Sequence, residues 1–184
     1  MESKSKLKKE ILPFSLILIA SVFRLIPHPP NFTPLTAIAL FGGATFENRI
    51  LAIFVPFFAM LISDAIIGFH STMWAVYISF GLIALVGGAY LRKQNKFKNI
   101  LIATLASSFS FYLITNFAVW LTSGMYPHTI AGLIQCYIFG LPFYRTTTLE
   151  LFGISIVGDL VFTLSLFGAY RLAEKMLPST LRKY

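Results

Sequence analysis

The chain has 184 residues, of which 57% are hydrophobic and 12% are charged, with a formal net charge of +8. Soluble domains carry about 25% charged residues, so an ordinary soluble fold explains this composition poorly. Most of the Lys and Arg residues lie in short patches beside long apolar runs, which is typical of cytoplasmic loops of membrane proteins and argues against nucleic acid as a partner. We expect a single integral membrane domain over residues 1–184.

Apolar runs long enough to suggest membrane helices follow one another along the chain. Four apolar runs precede the basic segment at residues 92–98, and an even number of crossings keeps that segment on the same side of the membrane as the basic amino terminus. The short second run is therefore counted as a span. The run at residues 129–143 is predicted to be re-entrant or to lie on the outer face, because a crossing there would export the basic carboxyl terminus. The predicted fold is all-α, a polytopic bundle of six transmembrane helices with both termini cytoplasmic. The spans are predicted at about residues 9–26, 33–46, 50–69, 73–91, 99–122 and 149–172.

Ionisable side chains inside the predicted spans are candidates for function because they are costly in lipid. Arg24, Asp64 and Asp159 are such residues. Polar and aromatic residues also recur every four positions on two spans, and this spacing puts them on one helix face. Interhelical hydrogen bonding would account for such stripes as well as a ligand site would. The stripes are Ser108, Tyr112, Asn116 and Trp120 on the fifth span, and Ser155, Asp159 and Thr163 on the last.

The predicted outer loops contain all three histidines, His28, His70 and His128. Imidazole binds several transition metals, so these residues are the metal candidates of the chain. Their spacing matches no compact metal motif, and we predict no metal or other cofactor. The loop at residues 27–34 holds four prolines, which stiffen it. Aromatic residues at this level could equally form an ordinary interfacial belt.

These features predict a solute-binding cavity in the outer half of the bundle, in a protein that is not an enzyme. Arg24 would pair with Asp64 or with an acidic group of the ligand, Asn116 would form hydrogen bonds, and the aromatic residues would stack. The alternatives are a membrane enzyme that uses Asp64, Asp159 and an outer histidine, or a partner subunit whose polar core is structural. The predicted binding residues are Arg24, Asn31, Asp64, Tyr112, Asn116, Trp120 and Asp159.

Five segments are distinctive: RLIPHPPNFTPLTAIALFGGATF, LISDAIIG, LITNFAVWL, YPHTIAGLIQCYIFGLPF and GDLVFTLSLFG. Together they resemble an uncharacterised family of bacterial integral membrane proteins that is catalogued under transport. More loosely, the size, the six predicted spans and the LISD segment are similar to the substrate-binding S subunits of energy-coupling-factor transporters. That resemblance implies capture of a small solute at the bacterial plasma membrane, with a coupling membrane subunit and separate ATPases as partners. The 184 residues contain no P-loop motif, which suits this reading, but the inner half of the first span has no clear small-xxx-small face, which S subunits typically carry on their first helix.

Overall fold

The computed structural model of the chain describes residues 2–139 and 146–176, and within them all regular structure is helical. A short 3-10 helix, Phe23–Leu25, extends the first helix. The all-helical architecture predicted from the sequence is therefore confirmed for this part of the chain. The helices are α1 (Glu2–Val22), α2 (Leu35–Thr45), α3 (Arg49–Ile67), α4 (Met73–Lys93), α5 (Phe97–Thr122), α6 (Ile130–Phe139) and α7 (Thr148–Met176).

Among the described residues, four helices are long and apolar enough to cross a membrane, judged by length and composition: α3, α4, α5 and α7. The first half of α1 is rich in charged residues, and its regular helix ends at Val22, before the end of the span predicted at residues 9–26. Helix α2 has 11 residues, or about 16 Å of helix, against a hydrocarbon thickness of about 30 Å. Neither α1 nor α2 qualifies as a span on these criteria, so the count of six remains a prediction.

The short helix α2 lies at the centre of the bundle. Ten consecutive residues from Thr36 to Thr45 are buried, and the helix packs against α1, α3, α4, α5 and α7. Phe41 meets the rings of Phe167 and Tyr170 edge-on, with centroids 5.2 and 5.5 Å apart. The apolar run that suggested a weak span is thus covered by protein on all sides.

Glycine residues let α2 and α4 touch backbone to backbone. A Cβ atom added at Gly43 would lie 2.1 Å from the carbonyl oxygen of Ala84, and one added at Gly88 would lie 2.4 Å from the Cα atom of Gly43. The contact falls where α4 contains a π-helical stretch, Ile83–Gly87. It fixes the end of the bundle opposite to the loops that carry the histidines.

The segment predicted to be re-entrant or interfacial contains α6, which has 10 residues and packs against α5 and α7. A helix of this length is too short to cross a bilayer, which agrees with its exclusion from the predicted spans. Its depth in a membrane stays a prediction. Residues 140–143 of that segment lie outside the described residues, as do Arg182 and Lys183 of the basic carboxyl terminus.

Candidate functional site

A cavity of about 320 Å³ lies at the end of the bundle where the histidine-bearing loops emerge. Helices α2, α3, α4, α5 and α7 line it, together with the loops that follow α1 and α3. Trp120, which was predicted to belong to the site, is not part of the lining. The structure brings the other six predicted residues together around this cavity: Arg24, Asn31, Asp64, Tyr112, Asn116 and Asp159.

An ion pair forms one wall of the cavity. Arg24 Nη2 lies 2.6 Å from Asp64 Oδ1, and the two side chains are 10% and 1% exposed. Arg24 Nη1 donates to the Ser63 hydroxyl and to the carbonyl oxygen of Met60, the latter at 3.3 Å. The Tyr77 hydroxyl donates to Asp64 Oδ2 at 2.9 Å. Both carboxylate oxygens of Asp64 therefore have protein partners, and the pair joins the end of α1 to α3 and α4.

Asp159 on α7 is a second buried carboxyl group, with an exposed fraction of 3%. The Ser108 hydroxyl of α5 donates to its Oδ2 atom at 2.6 Å, and the hydroxyl groups of Thr36 and Ser155 also interact with it. Hydroxyl groups from three helices thus surround this carboxyl group, and no cation of the described residues forms an ion pair with it. Burial of a carboxylate is costly unless polar groups compensate for the lost water, which is the role these hydroxyls can fill.

Tyr112 and Asn116, on one face of α5, line the cavity beside an aromatic wall. The ring of Tyr112 stacks on that of Phe152, with centroids 4.3 Å apart and planes inclined by 24°. The Tyr112 hydroxyl donates to the carbonyl oxygen of Tyr137 at 2.6 Å and so ties α6 to the site. Asn116 Nδ2 donates to the carbonyl oxygen of Tyr112 at 2.9 Å. The Asn116 Oδ1 atom has no hydrogen-bond partner among the described residues and is available as an acceptor.

The loop at residues 27–34 reaches the cavity by packing on α7. Phe32 lies against Gly158, where an added Cβ atom would be 3.2 Å from the Cα atom of Phe32. The rings of Phe32 and Phe23 both contact Phe162, with centroids 5.4 and 4.8 Å away. Asn31 has a φ angle of 63°, in the left-handed region that Asn adopts more readily than most residues. This turn places Asn31 at the edge of the cavity.

Trp120 belongs to the connection between α5 and α6 rather than to the cavity. Its Nε1 atom donates to the carbonyl oxygen of Pro127 at 3.0 Å, and its ring contacts that of His128 with centroids 5.2 Å apart. The stripe predicted on α5 therefore extends one turn beyond the cavity. Val119 lines the wall at that level instead.

The three histidines lie in separate loops. His70 lines the cavity and its Nδ1 atom lies 3.1 Å from the Thr72 hydroxyl, whereas the ring of His28 stacks on Phe23 with centroids 6.1 Å apart. His128 Nε2 lies 3.1 Å from the carbonyl oxygen of Trp120. Across the part of the chain that the structure describes, no three His, Cys, Asp or Glu side chains are grouped so as to hold a metal ion.

Several residues of the cavity were missed by the sequence analysis. On α5, Phe111, Thr115 and Val119 line the cavity beside Tyr112 and Asn116, so two adjacent rows of side chains on this helix face the cavity. Inclusion of the i+3 neighbours of Ser108, Tyr112 and Asn116 would have found all three. Phe152 precedes Ser155 of the second stripe by three positions and would have been found in the same way. Thr36 carried no comparable signal, because no stripe was predicted on its helix.

Comparison with known families assigns the chain without giving it an activity. The chain matches DUF6580, a family of unknown function, over residues 4–180, and it therefore belongs to that family. This is consistent with the expected membership of an uncharacterised family, and it provides no link to transport or to S subunits. Searches among curated proteins and among solved structures found no match.

Proposed function

We propose that this member of DUF6580 is an integral membrane protein that captures a small solute from the outer side in the cavity described above. The observation that carries the proposal is the meeting of buried polar groups and aromatic side chains from several helices around one cavity. Ligand pockets have volumes of roughly 300–1,000 Å³ and combine apolar walls with a few placed polar groups. The volume of about 320 Å³ lies at the small end of that range and suits a small organic molecule.

In this proposal the chain crosses the bacterial plasma membrane six times, with both termini in the cytoplasm. Helices α1 and α2 would complete the count together with the segments that flank them. The positive-inside rule supports this arrangement, because the connection between α4 and α5 and the end of α7 are both basic. Arg171 of α7 also donates a hydrogen bond to the carbonyl oxygen of Asn95, so the two basic segments lie at the same end of the bundle. The cavity lies at the opposite end.

The charges around the cavity suggest the chemistry of the solute. Arg24 and Asp64 neutralise each other, and both have further protein partners. Asp159 is thus the acidic group without a paired cation among the described residues of the site. We propose that the solute directs a hydrogen-bond donor or a cationic group toward Asp159. A purely anionic solute would be repelled by this carboxylate.

The remaining walls suggest a flat or partly apolar molecule. The stacked rings of Tyr112 and Phe152 offer an extended aromatic surface, against which a planar group can lie. Asn116 Oδ1 offers an acceptor beside that surface. A donor-bearing planar or heterocyclic compound would satisfy both features.

Release of the solute into the cell would need a source of energy, whereas capture needs none. The 184 residues contain no P-loop motif. We propose that a separate membrane subunit and its ATPases supply that step, as the resemblance to S subunits implies.

The test is identification of the solute by mass spectrometry after gentle purification, followed by measurement of its affinity for variants. Asn116→Ala should weaken binding at least about fivefold, because it removes a hydrogen-bond acceptor for the ligand. Asp159→Asn should weaken binding roughly tenfold or more, because it removes the negative charge and replaces one carboxylate oxygen by a donor. Asn99→Ala is the matched control, since Asn99 lies on the same helix, bonds to Gln94 and does not line the cavity. Unchanged affinity in both folded cavity variants would refute the site.

A further inference from the structure

A second cavity, of about 210 Å³, lies between α3 and α4 at the end of the bundle opposite to the solute cavity. Its lining includes three cationic residues, Arg49, Arg92 and Lys93, and no acidic residue. Arg49 begins α3, whereas Arg92 and Lys93 end α4, so the ends of two helices bring the charges together. The other lining residues are small or apolar.

The shape of this cavity follows from the packing of α2. Helices α3 and α4 both pack closely on α2 but have few contacts with each other, which leaves a groove between them. The floor of the groove is the backbone contact between Gly43 and Ala84. Its walls include Ile53, one turn along α3 from Arg49, and Leu85, about two turns along α4 from Arg92. Leu85 is 53% exposed, so the wall is apolar and open rather than sealed by protein.

The cationic groups at the end of the groove are free to bind an anion. Arg92 Nε donates to the carbonyl oxygen of Gly43 at 2.7 Å, which anchors the guanidinium at the end of α2. Its two terminal nitrogen atoms have no acceptor among the described residues, and neither Arg49 nor Lys93 has an ion-pair partner there. Glu10 of α1 instead accepts the backbone N–H groups of residues 47 and 48, in the turn before α3, at 3.0 and 3.3 Å. Neighbouring like charges repel, so an anion would stabilise this cluster.

We propose that the groove binds an anionic phospholipid, with its phosphate held by Arg49, Arg92 and Lys93 and an acyl chain lying along Ile53 and Leu85. Guanidinium groups bind phosphate oxygens with two parallel hydrogen bonds, and basic pockets between membrane helices on the cytoplasmic side are suited to anionic headgroups. The groove has a cationic end and open apolar walls, so an amphiphile can contact both parts. Free phosphate would contact only the cationic end and leave the apolar walls without a ligand. The inference rests on the membrane placement proposed above but does not depend on the solute cavity.

The experiment compares two double variants of the full chain in detergent micelles. Arg49→Gln/Lys93→Gln removes two charges from the groove, and both side chains are exposed, so folding should be preserved. Lys96→Gln/Lys98→Gln is the matched control, because it removes two exposed charges at the same end of the bundle without altering the lining. Native mass spectrometry measures the binding of phosphatidylglycerol and of phosphatidylcholine to each protein.

We expect the unaltered chain to bind phosphatidylglycerol more tightly than phosphatidylcholine. Each cation near an anionic lipid surface contributes about fivefold in affinity, so the groove variant should lose roughly 30-fold. The control should stay within about twofold of the unaltered chain. Equal losses in both variants would indicate diffuse attraction and overturn the proposal, as would unchanged binding in the groove variant or equal binding of the two lipids. Displacement of the lipid by millimolar inorganic phosphate would assign the site to the free anion instead, and would also overturn it.

Discussion

Replacement of Arg24 by methionine tests how far the ion pair with Asp64 holds the wall of the solute cavity. The Asp64 side chain is 1% exposed, so without the guanidinium its carboxylate would keep only the Tyr77 hydroxyl, at 2.9 Å, as an identified side-chain partner. Removal of one member of a buried ion pair costs about 3–5 kcal/mol, since the remaining charge is stranded away from water. In a chain of this size each kcal/mol corresponds to about 2–4 °C in Tm. We therefore expect Arg24→Met to lower Tm by roughly 6–20 °C.

Two further variants separate the charge from the packing. Tyr77→Phe removes a hydrogen bond to Asp64 but no charge, and should lower the free energy of unfolding by about 1.5–3 kcal/mol. The double variant Arg24→Met/Asp64→Asn should recover much of the loss, because no uncompensated charge remains buried. Thermal unfolding in detergent micelles, followed by tryptophan fluorescence, measures all of them.

The outcome of this series bears directly on the burial of the pair. A Tm for Arg24→Met within about 2 °C of the unaltered chain would mean that the Asp64 carboxylate is hydrated rather than buried away from water. A double variant no more stable than Arg24→Met would mean that the loss comes from the apolar stem of the arginine, which also packs. Either result would show that the ion pair does not stabilise the contact between α1 and α3.

The contact between α2 and α4 and the proposed topology are open to equally direct tests. Gly43→Ala should destabilise the chain by about 1–3 kcal/mol or more, because the new Cβ atom would lie 2.1 Å from the carbonyl oxygen of Ala84. Gly81→Ala is the control, because its Cβ atom would meet nothing within 4 Å, and it should be neutral or stabilising by up to about 1 kcal/mol. Thermal unfolding measures the stability of both variants. Equal destabilisation of the two would contradict the close approach of α2 and α4. For the topology, Lys96→Cys should react with a membrane-impermeant maleimide only after the cells are permeabilised, whereas Ser71→Cys should react in intact cells. The reverse pattern would overturn the proposed orientation.

The helical period explains why part of the candidate site could be predicted. Tyr112 and Asn116 share a face of α5, and both line the cavity together with Asp159. The two predicted stripes meet in the hydrogen bond from Ser108 to Asp159, at 2.6 Å. The same spacing also includes Trp120, which lies one turn beyond the cavity lining. Periodicity identifies a face but does not show how far along the helix the neighbouring elements extend.

The short helix α2 illustrates a different limit. Its apolar composition indicated only a run too short for an ordinary span, and the structure surrounds it with five other helices. Hydropathy reports that a segment avoids water, and it does not distinguish a lipid environment from the interior of a protein. The number of crossings could therefore not be derived from hydropathy, and was inferred from the distribution of charge instead.

Local features of the chain were sufficient to predict an all-helical fold. Long apolar runs specify helices, and the period of 3.6 residues specifies which side chains share a face. They were not sufficient for the partners of those faces. Arg24 could have served a ligand or Asp64, and the packing of α1 against α3 directs its guanidinium to a carboxylate 40 positions along the chain. A free cationic groove between α3 and α4 likewise arises because both helices pack on α2. Such contacts depend on the positions of whole helices in space, and no local pattern of residues encodes them.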